Sequence, residues 1–166
     1  MILNRQREVR VARAPLESFL RRVKKELGLG RREVTVCLVS DTEMARLNET
    51  FRKKQGPTDV LSFPQENSFS PLATRPSPLR VRKARKNAKL GKQPLWKKSG
   101  TRYLGDIAIA PATARRYAKK NSRKIADELR VLILHGVLHL LGYDHETDAG
   151  EMHKLEQKLR KRLGIA

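Results

Sequence analysis

The run His135-Gly-Val-Leu-His139-Leu-Leu-Gly-Tyr-Asp-His145 constrains this chain more than any other segment, because its histidines follow an H-x3-H-x5-H spacing. The first two close a long apolar-periodic stretch from Ile125 to Leu141, which the spacing predicts to be helical. Residues four apart on a helix share a face, with Cβ atoms about 5–6 Å apart. Two imidazoles so placed can hold one ion at about 2.0–2.1 Å each. Gly142 follows, where a glycine can take the left-handed conformation that ends a helix. The chain can then turn back and bring His145 in as a third ligand. Three histidines without a fourth protein ligand suit a zinc ion that keeps an open position, the arrangement of a catalytic site.

The competing reading is a pair of structural histidines. Against it, three of the chain's 4 histidines lie in this one run, and imidazoles in so apolar a stretch need a reason to be there. His153 stands apart, in a charged segment beside Lys154, and reads as a solvated surface residue. Cys37 is the chain's single cysteine, which excludes an internal disulfide and fits a reducing compartment. Its strand-like setting, Val34-Thr-Val-Cys-Leu-Val, marks it as a small buried hydrophobe rather than a ligand.

A length of 166 residues suits one domain, spanning 1–166. Helices are expected at Pro15–Leu27, closed by Gly28, and from Ser40 through Phe51, opened by a Ser40-x-x-Glu43 capping box and ended by Gly56-Pro57. Two more are expected from about Ser122 and over Asp148–Leu163, and Pro111 suits the first turn of a short one. Strands are expected at Glu33–Ser40, Asp59–Phe63 and Arg102–Ala110. Val9 and Val11 alternate with charges as an edge strand would. Strands and helices interleave without a regular βαβ repeat, so the expected class is α+β with a single mixed sheet packed with helices.

The net charge of +20, from 37 Lys+Arg against 17 Asp+Glu, favours a polyanionic partner. Nucleic acid is preferred over a membrane surface, because the chain has no lipidation motif, no amphipathic Trp/Phe-rich anchor and no apolar stretch near the ~20 residues that span a bilayer. Arg5, Arg7, Arg10 and Arg13 raise the thought of an organellar transit peptide. The absence of a secretory apolar region and the early start of a helix favour a cytoplasmic protein. The segment 67–100 breaks the pattern, with ten Lys or Arg, four Pro and no acidic residue. Such a composition cannot bury enough apolar surface to offset its ordering entropy, so it is expected to be a disordered basic insertion. Within it Lys83, Arg85, Lys86, Lys97 and Lys98 are candidate RNA contacts. Trp96 either stacks on a base or packs against the domain.

Three blocks together resemble the YbeY family of metal-dependent endoribonucleases. They are the His135–His145 run, the segment Asn48-Glu-Thr-Phe-Arg52-Lys-Lys-Gln-Gly-Pro-Thr58-Asp59-Val-Leu-Ser-Phe-Pro64, and Leu104-Gly-Asp106-Ile-Ala-Ile109. They appear in the family's order and leave out only about residues 67–100. The resemblance implies a minimal zincin-like domain and one Zn2+ per chain. It also implies single-strand-specific cleavage in ribosomal RNA maturation at the small-subunit 3′ end, with a part in ribosome quality control and the ribosomal small subunit as partner. It makes Arg52, otherwise one more charge at a helix end, the candidate catalytic residue, whose planar fork can grip two phosphate oxygens. Thr58 and Asp59 are weaker candidates that close a turn. Asp144 either orients a ligand histidine or merely sits in its turn. Protease-type zincins carry a glutamate base in H-E-x-x-H. Gly136 stands in that place here, so the likeness to them is architectural. Two other readings stay open: a non-catalytic, zinc-containing ribosome-assembly factor, and a hydrolase of a small anionic substrate. The open coordination position speaks against the first and the charge against the second.

Overall fold

The computed structural model describes residues 1–65, 103–144 and 148–165. Their order is β1 (Ile2–Asn4), α1 (Arg13–Glu26), β2 (Glu33–Leu38), α2 (Asp41–Arg52), β3 (Val60–Pro64), β4 (Tyr103–Ile109), α3 (Pro111–Lys120), α4 (Ile125–Leu140) and α5 (Glu151–Leu163). The strands form one mixed sheet in the order β1-β2-β4-β3. β1, β2 and β4 run parallel, and β3 pairs antiparallel on the outer side of β4. The class is α+β, as the interleaved pattern predicts.

Alternation along the strands sorts the core into two layers. Val34, Val36 and Leu38 of β2 and Ile107 and Ile109 of β4 face the apolar stripes of α1, α4 and α5. Cys37 and Ala108, one residue out of phase, face Met44 and Leu47 of α2 on the other side. Both faces of the central strands are therefore covered, which explains why β2 and β4 read as nearly continuous apolar runs. Cys37 is buried as expected, and burial raises its thiol pKa to about 11, so it carries no thiolate at neutral pH.

Local signals hold at most helix ends. Ser40 accepts a hydrogen bond from the Glu43 N–H at 3.1 Å and opens α2. Pro111 occupies the first turn of α3, and Gly28 and Gly142 take positive φ just after α1 and α4. Two expectations are corrected. The edge strand next to β2 is Ile2–Asn4, and Val9 is not in a strand. The Gln6 amide donates to the Val9 carbonyl at 2.9 Å and accepts from its N–H at 2.8 Å, so the groups a ladder would pair are already satisfied. Helix α2 stops at Arg52 rather than at Gly56, because Lys53 takes a left-handed conformation with φ 58°.

β4 carries a bulge. Consecutive residues Glu33 and Val34 pair with Tyr103 and Gly105, leaving Leu104 as the extra residue. Gly105 has φ +141°, and a Cβ there would lie 2.2 Å from the Phe63 carbonyl oxygen. Only glycine lets β3 approach β4 this closely at that point. The bulge also turns Tyr103 so that its hydroxyl donates to the Asp106 carboxylate and sits 3.1 Å from the Thr35 hydroxyl.

Candidate metal centre

The histidine pair sits on the last turns of α4, the most buried helix of the fold. The helix is held against the sheet by Leu129, Leu132, Ile133, Val137 and Leu138, which leaves His135 and His139 together on its half-open face. Their rings meet edge to face, with centroids 4.7 Å apart and planes at 76°. The two Nε2 atoms converge to 3.1 Å. Two nitrogens each about 2.0–2.1 Å from one zinc at a tetrahedral angle stand roughly 3.3 Å apart, so this pair already has the spacing of a chelating edge.

A second observation fits the same use. Nδ1 of His135 lies 2.8 Å from Oε2 of Glu156 on α5. A carboxylate only accepts, so Nδ1 carries a proton, and in the neutral ring that leaves the lone pair on Nε2, which faces His139. Burial pushes the Glu156 carboxyl pKa up, but the hydrogen bond from His135 and the charge of Arg160 outweigh it and hold the group below its ordinary value. Arg160, one turn further along α5, closes an ion pair on the other carboxylate oxygen. A ligand imidazole backed by a carboxylate is the usual way of fixing its tautomer and raising its basicity.

Glu156 was not singled out in the sequence, yet a signal is there. It lies on the apolar stripe of α5 with Met152, Leu159 and Leu163, and is only 7% exposed. A carboxylate on a buried stripe needs a partner. Replacing it tests the role. Glu156→Gln removes the charge but keeps the shape, and metal affinity should fall about ten- to a hundredfold in competition with a chromophoric chelator, with helical content retained. Wild-type affinity in that variant would reduce Glu156 to a packing residue.

Asp144 sits in the turn that follows α4. Its backbone carbonyl accepts from the Asp148 N–H at 3.0 Å, and Asp148 in turn accepts at 2.7 Å from the N–H groups of Gly150 and Met152 to start α5. His145 lies outside the described residues. Among the described residues no third His, Cys, Asp or Glu joins the pair in a metal-holding group. Lys83, Arg85, Lys86, Trp96, Lys97 and Lys98 also lie outside them, as does the expected insertion as a whole. His153 is exposed and pairs with Gln157 at 2.8 Å, as a surface residue would.

The Arg52 segment comes near α4 by way of the edge strand. Phe51 stacks edge-on against Phe63 of β3 at 5.0 Å, which ties the end of α2 to that strand. On the opposite face of β3, Ser62 donates from its hydroxyl to the Gly136 carbonyl at 3.4 Å, beside His135. Arg52 itself is the exposed last residue of α2, on the layer away from α4. Asp59 accepts from the Val60 N–H at 2.9 Å and from the Thr58 hydroxyl at 3.2 Å, so these two residues close a turn at the start of β3. Asp106 shares the sheet face of Ala108, covered by α2, and stays apart from the histidines. Burial raises its carboxyl pKa although Tyr103 donates to it.

Gly136 explains the missing glutamate of H-E-x-x-H. A Cβ at this position would lie 2.8 Å from Cγ2 and 2.9 Å from Cδ1 of the fully buried Ile107. Helix α4 rests directly on β4 there, so a side chain at this position must displace Ile107 or lift the helix.

Comparison with known proteins shows which family the chain is similar to. The family described as Endoribonuclease YbeY matches residues 1–164. A Solibacter usitatus protein named Endoribonuclease YbeY is 38% identical over 153 residues, covering 92% of this chain and 80% of its own length. A Koribacter versatilis protein of the same name is 37% identical over 165 residues, covering 99% of this chain and 86% of its own. A Thermotoga maritima protein of known solution structure has a similar fold, with a TM-score of 0.57 at 24% identity over 98% of this chain and 89% of its own.

Proposed function

The chain belongs to the YbeY endoribonuclease family, and from that membership we propose that it is a metal-dependent endoribonuclease cutting single-stranded RNA during ribosomal RNA maturation. The observation that carries the reading is the convergence of His135 and His139 Nε2 at 3.1 Å, with His135 fixed from behind by Glu156. His135, His139 and His145 would hold the ion, zinc by the chemistry of an all-imidazole set. When bound, such an ion supplies a water activated near neutral pH and a Lewis acid for a phosphoryl oxygen.

The chain's own residues supply the rest. The packed underside of α4 fixes both imidazoles, and Glu156 keeps the His135 proton on Nδ1. Arg52, exposed at the end of α2, would place its planar fork on two phosphate oxygens, where negative charge grows during cleavage. Arg52→Lys keeps the charge and loses the fork, so kcat on RNA should fall about tenfold or more while metal content stays constant. Wild-type kcat in Arg52→Ala would leave Arg52 a surface charge.

The net charge of +20 supports RNA over a small anionic substrate. The small-subunit 3′ end as target, a part in ribosome quality control, RNA contacts from the segment 67–100 and a cytoplasmic location belong to the same proposal. Metal analysis of the purified chain, joined to an RNA-cleavage assay with and without chelator, is the deciding experiment. Bound metal with chelator-sensitive cutting supports the enzyme. Bound metal with no cutting would instead support a zinc-containing assembly factor.

A further inference from the structure

Helix α3 offers a second surface with a specific chemistry. Between Asp106 and Asp127 the chain has no acidic residue, and the stretch holds Arg115, Arg116, Lys119, Lys120, Arg123 and Lys124. In the middle of these cations stands Tyr117, 46% exposed, which is matched among large hydrophobic residues only by Met1 within the described structure. A single exposed tyrosine is ordinary. Its setting here is not, because the helix beneath it is anchored. Pro111, Ala112, Thr113, Ala114 and Ala118 are buried, and Thr113 and Arg116 are tied to Asp41 at 2.8 and 2.7 Å.

The cations divide into two sets. Arg116 pairs with Asp41, and Arg123 lies 3.4 Å from Glu128. Arg115, Lys119 and Lys120 are exposed and take part in no ion pair among the described residues. Lys119 and Lys120 complement the dipole at the end of α3, a local use that explains two cations but neither Arg115 nor the outward ring.

We propose that this face of α3 is a docking platform for single-stranded RNA, with Tyr117 stacking on a base and Arg115, Lys119 and Lys120 holding the phosphates beside it. An aromatic ring among cations accepts any base, because every base has a π-face. The ring sits on a rigid helix, so little order must be created on binding. Residues 121–124 join α3 to α4, and Ile125 to His135 spans about 15 Å of helix at ~1.5 Å per residue. The platform rests on the reading of this chain as an RNA-cleaving enzyme.

The test is binding of the full chain to a fluorescent single-stranded oligouridine of roughly 12 nucleotides, in excess chelator and across a salt series. Tyr117→Ala should weaken binding about five- to fiftyfold, and Tyr117→Phe should restore it to within about twofold. Changing Arg115, Lys119 and Lys120 together to Gln should lower the slope of log K against log salt by about 2, at ~0.7 per phosphate contact. Neither variant should lose thermal stability, since alanine and glutamine are good helix formers at these exposed positions. Wild-type affinity in Tyr117→Ala, or an unchanged slope in the triple variant, overturns the platform while leaving the nuclease reading intact. Failure of the wild-type chain to bind the oligomer overturns both. Loss of binding to phosphatidylserine vesicles with RNA affinity unchanged in Tyr117→Ala would reassign the face to a membrane surface.

Discussion

Purified His139→Ala is expected to fold normally, to carry far less than one metal ion per chain, and to cleave RNA at least about a thousandfold more slowly than wild type. A thousandfold corresponds to about 4 kcal/mol of barrier, the scale on which a metal's charge stabilisation acts. Removing His139 leaves His135 without its partner at 3.1 Å and halves the chelating edge on α4. The fold should survive because His139 is only half buried and its backbone bonds do not depend on the ring. His153→Ala is the matched control, since that imidazole is exposed and touches Gln157. It should keep wild-type metal and rate. Elemental analysis of the three proteins decides the matter: equal metal in wild type and His139→Ala would remove α4 as the metal site. Lost cleavage with metal retained would move the imidazole's role from binding the ion to handling the substrate.

Gly136→Glu, which would recreate the protease motif, should instead cost the protein much of its stability. The Cβ alone would sit 2.8 Å from Ile107, so α4 must lift from β4 or Ile107 must leave its rotamer. Overpacking of this kind costs about 1–3 kcal/mol, and a buried carboxylate with no arranged partner adds more. A loss of about 3 kcal/mol or more would lower Tm by roughly 10 °C in a chain of this size. Gly136→Ala separates the terms. Alanine gains up to about 1 kcal/mol of helix propensity and loses the packing, so it should fall between wild type and glutamate. A thermal melt of the three tests the order. A higher Tm in Gly136→Ala would mean that Ile107 yields cheaply and that the close approach is not what selects glycine. The same contact bears on mechanism, since a base at this position is excluded by packing and must be supplied elsewhere.

Much of this protein was legible in its sequence because the signals are local. The helix spans follow from apolar spacing, and the pairing of His135 with His139 follows from four-residue separation on a helix. The stop at Gly142, the cap at Ser40 and the proline at the head of α3 are chemical statements about one or two residues. The family blocks around Arg52, Asp106 and His135 added the likeness that the comparisons bear out across residues 1–164.

What tertiary structure decided lies wherever partners are distant in the chain. Glu156 meets His135 across twenty-one positions, and no periodicity in α5 announces which side chain its buried carboxylate will face. Gly136 looks like a gap in a motif until Ile107, from another element, is seen to occupy the space. The edge strand went to Ile2–Asn4 rather than to the alternating Val9 and Val11, because the Gln6 amide had already consumed the Val9 hydrogen bonds. Lys53 ended α2 by turning left-handed, a choice the nearby Gly56-Pro57 signal masked. The sequence by itself determined which groups could do the chemistry, because residue type and short-range spacing set their reach. Only the fold decided which carboxylate orients the histidine and why no side chain stands beside it, because those outcomes depend on contacts between elements distant in the chain.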